Sequence, residues 1–120
     1  MQEGVDGAGG RPKVLPAAYA DEKTLYEAYM PFLKGGGLFI VTGEDYLVND
    51  EVILLVKLPD APKGVPVPGR VVWKTPSESV GGRQAGIGVE FRGREGSSLR
   101  YRIEGVLGAR LHSDKPTLTM

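Results

Sequence analysis

Glycine and proline set the limits on what this chain can fold into. Eighteen glycines and nine prolines cut it into short runs rich in valine, isoleucine and leucine. Its longest unbroken apolar stretch covers only residues 52–56. Helical bundles need longer uninterrupted periods, whereas strands joined by turns need this kind of punctuation, so the sequence predicts a mainly β protein with many turns. A chain of 120 residues can bury about two-thirds of the surface its unfolded form exposes, which suits one domain with short tails.

Along the chain, residues 1–12 read as a disordered Gly-rich tail, 13–112 as the domain and 113–120 as a flexible C-terminal tail. Residues 13–19 are ambiguous, because Val14, Leu15 and Tyr19 suit a strand that Pro16 restricts to an edge. Asp21 can cap a short helix with Leu25, Tyr29 and Phe32 on one face, interrupted by Pro31. The run Gly35-Gly36-Gly37 turns the chain into the strand Leu38 to Thr42. Glu51–Leu58 is apolar on both faces for most of its length, which predicts a central strand with the core on one side and a helix or partner on the other. In the next strand, 65–75, Val67, Val71 and Trp73 point one way and Arg70, Val72 and Lys74 the other, while Pro66 and Pro68 confine its start to an edge. Residues 84–91 alternate cleanly, with Gly86 and Gly88 on one face, leaving room for the following helix to pack closely. That helix is expected over 98–111, capped by Ser97 or Ser98, with Leu99, Ile103, Val106 and Leu107 as its stripe. Five or six strands and a final amphipathic helix suggest a small barrel.

The residues offer little to catalysis. There is no cysteine, and the only histidine, His112, stands at the end of the last predicted helix. No recognisable metal-binding spacing is present, so no catalytic group, metal or cofactor is expected. Gly35-Gly36-Gly37 lacks the GxxxxGK[ST] pattern and reads as a tight turn. Fifteen basic and fifteen acidic residues cancel, so no net field draws in nucleic acid or an anionic membrane. The start of the chain lacks the pattern of a signal peptide, and no run approaches the roughly 20 apolar residues of a membrane span; a cytoplasmic monomer is expected.

The most informative cluster is aromatic. Leu25, Tyr26, Tyr29, Met30, Phe32, Leu33, Leu38, Phe39 and Ile40 crowd a short segment. A two-turn helix cannot hide them all. Tyr26 and Met30, on the flank opposite Tyr29, are therefore the best candidates for an exposed protein-binding patch.

Three runs then resemble, in order and spacing, strand signatures of PilZ domains: Gly36-Gly37-Leu38-Phe39-Ile40, Gly69-Arg70-Val71-Val72-Trp73 and Gly86-Ile87-Gly88-Val89-Glu90-Phe91. A narrower likeness, to the family's type IV pilus assembly members, rests on Leu25-Tyr26-Glu27-Ala28-Tyr29-Met30-Pro31-Phe32, on Asp50-Glu51-Val52 and on the ending Ser113-Asp114-Lys115-Pro116-Thr117. The resemblance implies a six-stranded antiparallel β-barrel with a C-terminal α-helix and a short helix near the N-terminus. In this family cyclic di-GMP is held by an RxxxR motif ahead of the barrel and a [DN]xSxxG motif entering a strand. Guanidiniums fork onto phosphate oxygens while the Asp and Ser meet the base edge. Aligning the last glycine of the second motif on Gly37 puts Phe32 at the Asp position and Lys34 at the Ser position. Upstream only Arg11 is present, and no second arginine precedes Arg70.

The resemblance therefore implies a non-enzymatic adaptor in pilus biogenesis and twitching motility. Its partners would be the pilus-extension ATPase PilB and the EAL domain of a FimX-like receptor, with the receptor holding the nucleotide. The alternative is a PilZ module that binds cyclic di-GMP directly through a rearranged site. Candidate protein-binding residues are Tyr26, Tyr29, Met30 and Phe32, together with Ser113, Asp114, Lys115 and Pro116 in a tail expected to serve binding without supporting the fold.

Overall fold

The computed structural model describes residues 13–42, 44–75, 85–108 and 111. Both tails, including residues 113–116, and His112 lie outside the described residues. The elements run β1 (Lys13–Ala18), α1 (Glu22–Ala28), β2 (Gly37–Val41), β3 (Glu51–Leu58), β4 (Ala61–Lys74), β5 (Gly86–Phe91) and α2 (Gly93–Leu107).

The five strands form one curled sheet in the order β1-β3-β4-β5-β2. The expected barrel had six strands, all antiparallel. Among the described residues the sheet instead has five, and β1 runs parallel to β3. A parallel pair needs a long crossover, and the chain supplies one by passing through α1 and β2 before it returns as β3. Pro16 sits on β1, an edge strand, where a missing donor costs least. Pro66 and Pro68 pair with Leu55 and Ile53 of β3, while pairing of β4 with β5 begins only at Gly69. Both prolines thus lie where β4 is still an edge on its β5 side, as their chemistry requires.

Asp21 caps α1, its side chain accepting from the Thr24 amide at 2.8 Å. The helix ends at Ala28, before Pro31 can interfere. α2 starts at Gly93, five residues ahead of the sequence expectation, with Arg92 at the cap position and no side-chain cap. The serines expected to cap it lie inside the helix. Its first turn is held instead by tertiary packing, since a Cβ on Gly96 would stand 2.9 Å from that of Phe91. Leu99, Ile103 and Leu107 are buried as a stripe in the main core with Leu25, Tyr29, Val89 and Phe91.

Two sequence expectations about faces are overturned. A bulge between Val71 and Trp73 shifts the register, so Val71 opposes Val89 and Trp73 opposes Gly88. Trp73 therefore points away from the core that Val71 enters, because an extra residue reverses the alternation. The room beside Gly86 and Gly88 is not filled by α2. Their missing side chains face outward, where a Cβ on Gly86 would meet Phe39 at 2.7 Å and one on Gly88 would meet Met30 at 3.0 Å. Of the helix or partner expected over the second face of β3, no helix is found there among the described residues, since α1 packs on α2 and β2, and α2 on β4 and β5.

Candidate functional site

The loop between α1 and β2 carries the positions where the nucleotide motif falls. Gly36 takes a left-handed φ of 76°, a conformation that glycine enters without steric cost. The loop lies so close to β5 that a Cβ on Gly35 would stand 2.8 Å from the Phe91 carbonyl oxygen, and one on Gly37 2.4 Å from that of Val89. Three of its amides bond within the fold: Leu33 donates to the Met30 carbonyl, Gly36 to the Leu33 carbonyl and Gly35 to the Glu90 carboxylate. Phe32 is 55% exposed and Lys34 is exposed, while Gly37 is buried.

A clamp from α2 closes over this loop. The Arg100 guanidinium donates to the Lys34 carbonyl at 2.9 Å and to Glu104 Oε2 at 3.2 Å. The same Oε2 accepts the Tyr29 hydroxyl proton at 2.6 Å. Burial first, then the Glu104 hydrogen bond and charge, push the Tyr29 hydroxyl above its ordinary range. The Glu104 carboxyl is lowered, chiefly by the Tyr29 hydrogen bond and further by Arg100. Lys34, at the position aligned with the serine of the motif, thus meets the clamp through its backbone carbonyl. The helix spacing of Arg100 and Glu104 was open to reading as an i,i+4 pair; their reach to the loop was not.

Tyr19, like Tyr29, is raised by burial. Both contribute their stability in full below pH 10, the ordinary tyrosine value, because unfolding then changes no protonation. Above it the unfolded chain sheds protons that the folded one keeps, so stability falls as pH rises. Urea midpoints should drop between about pH 9 and 11, and Tyr19→Phe should flatten that drop. An unchanged slope in the variant would remove Tyr19 as a contributor.

The second element of the site is the outer face of β2, β5 and β4. Phe39 stacks at a tilt against Trp73, with ring centroids 5.7 Å apart, and Met30 caps Gly88 beside them. Phe39 and Met30 belong to no part of the main core, yet both are buried, forming a satellite bed outside the sheet. Exposed Val41, on the same face as Phe39, and partly exposed Trp73 border it.

The expected exposure of Met30 is therefore wrong: it is 2% exposed because Gly88, opposite it, opens a slot that its flexible chain fills. Tyr29 is 1% exposed, and Tyr26 is half-buried against the main core. Phe32 does not share a face with Leu25 and Tyr29, since the helix ends four residues before it. Of the four aromatic-cluster candidates, Phe32 alone stands free of the fold. Sequence reasoning placed Trp73 on the Val71 face and did not single out Val41, because neither the bulge nor the packing across strands is local. Among the described residues no three His, Cys, Asp or Glu groups converge as metal ligands, and no helix is long and apolar enough to cross a membrane.

A curled β-sheet whose concave side is filled by a C-terminal helix defines a small β-barrel-like domain. The chain belongs to the PilZ domain family, whose model matches residues 11–105. Domains of this family are typically non-enzymatic and generally serve as adaptor modules that bind cyclic di-GMP. No curated protein matches the chain.

Proposed function

We propose that this PilZ domain is a protein-binding adaptor in type IV pilus biogenesis and twitching motility, and that it does not bind cyclic di-GMP itself. Its partners on this reading are the pilus-extension ATPase PilB and the EAL domain of a FimX-like receptor that holds the nucleotide. What supports the reading is the alignment of the family motif on Gly37, which puts the phenyl ring of Phe32 and the ammonium of Lys34 at the positions of the acid and the hydroxyl. The nearby Arg100 guanidinium is already bound to Glu104 and to the Lys34 carbonyl. A dinucleotide arriving there would lose water from its phosphates with little to replace it. On this reading Phe32, the one exposed member of the aromatic cluster, is the contact residue on the fold, and residues 113–116 remain part of the proposal through the resemblance of the chain's ending.

The rival reading, direct binding through a rearranged site, draws on the exposed Lys34 and on Arg100 beside the loop. Isothermal titration of the full chain with cyclic di-GMP separates the two. No saturable heat is expected at micromolar nucleotide. A one-site isotherm in that range, lost on Arg100→Ala, would establish the rival and end the adaptor reading in its present form.

A further inference from the structure

A second apolar surface lies on the outer face of β1, β3 and β4. The parallel register sets Val14 beside Ile53 and Pro16 beside Leu55, and the antiparallel register sets Ile53 beside Pro68 and Leu55 beside Pro66. Register partners share a face, so two apolar rows, Val14-Ile53-Pro68 and Pro16-Leu55-Pro66, run across three strands. Val14 is 62% exposed, Pro16 and Pro66 are exposed, and Ile53, Leu55 and Pro68 are half-buried. We propose that this face docks one amphipathic α-helix of a partner protein.

Three observations choose that occupant. At strand spacings of about 4.8 Å, three strands span about 10 Å, the diameter of one helix with its side chains. Strand addition is disfavoured. The Tyr19 amide donates to the Lys57 carbonyl, so in β1 the odd residues turn their amides to β3 and the even ones turn outward. Pro16, at the centre of that free edge, has no proton to give. Finally, the segments of this sequence outside the described residues are poor occupants, since residues 1–12 offer only Met1 and Val5 as large apolar residues, 76–84 only Val80 and 113–120 only Leu118 and Met120. Lys57, two residues beyond Leu55 on the same face of β3, stands exposed at the hairpin end, with Asp60 in the turn. A helix carrying a carboxylate on the flank that passes this lysine fits best.

Methyl resonances of the full chain would be followed during titration with a synthetic helix of leucine and glutamate, its leucines spaced to form one stripe. The Val14, Ile53 and Leu55 methyls should shift and saturate. Val14→Glu should weaken binding at least tenfold without moving the melting midpoint, Leu55→Lys should weaken it as much, and a peptide of alternating valine and threonine should leave these methyls unmoved. Shifts confined to Val41 and the Trp73 region, strand-peptide binding at β1, or a dimer in sedimentation that buries the Val14 face would each overturn the proposal. The outcome does not depend on whether the ATPase or the receptor binds.

Discussion

Met30→Ala is expected to destabilise the fold by about 3 kcal/mol, which sits within the range for emptying a buried methionine site. Met30 is enclosed by the Phe39 and Trp73 side of the sheet and fills the slot above Gly88, where its terminal atoms lie about 3.0 Å from the place a Cβ would occupy. Its backbone also closes the entry to β2, the Met30 amide donating to the Gly37 carbonyl at 2.8 Å. That bond survives truncation, so the loss comes from the side chain: transfer of the thioether chain to water plus a cavity that rigid strands cannot close. Denaturant unfolding should show a lowered midpoint at unchanged slope. Met30→Leu, of similar volume, should recover most of the loss. If Met30→Ala melted like the parent, the satellite bed over β5 would contribute nothing to stability, and Met30 would return to the list of exposed contact residues.

Phe32→Ala is expected to do the reverse, weakening partner binding by about 2 kcal/mol or more while leaving the thermal midpoint unmoved. The ring is 55% exposed and lies beyond the end of α1. Its removal therefore costs the folded state little, whereas a partner that buries it loses an aromatic anchor. Titration of the purified ATPase and the EAL domain separately would give about a thirtyfold loss for one of them, the equivalent of that free energy at ten-fold per 1.4 kcal/mol. A lowered midpoint with binding intact would make Phe32 a structural residue of the loop. Tyr26→Ala is a less clean probe, because Tyr26 packs against the main core and its truncation mixes stability with binding.

The contrast between Met30 and Phe32 marks the limit of what was legible along the chain. Both stand in one apolar segment, and the crowding there signalled a surplus of apolar groups for a two-turn helix. Which of them the surplus was could not be read, because the slot that takes Met30 is made by Gly88, fifty-eight residues away in sequence and opposite it only after β2 pairs with β5. Trp73 follows the same logic. Alternation alone assigned it to the Val71 face, and a single bulge, specified by pairing with Val89 and Gly88, turned it outward. The clamp of Tyr29, Glu104 and Arg100 spans seventy-five residues and left only its local half, the i,i+4 pair, visible in sequence.

What the sequence determined by itself was whatever depends on neighbours within a few residues. Strand β3 matches its expected bounds because β-branched runs flanked by turn residues have few alternatives. The Asp21 cap, the end of α1 ahead of Pro31, the edge positions of Pro16, Pro66 and Pro68, and the buried stripe of α2 were fixed in the same way, by backbone chemistry and periodicity. Tertiary structure alone decided the parallel placement of β1, the five-residue earlier start of α2, the burial of Met30 and the uncovered outer face of β3. The physical reason is that local propensity sets which residues can face the same way, whereas what fills the space opposite them depends on strand order and register, and those are settled by long-range packing whose energies exceed local preferences.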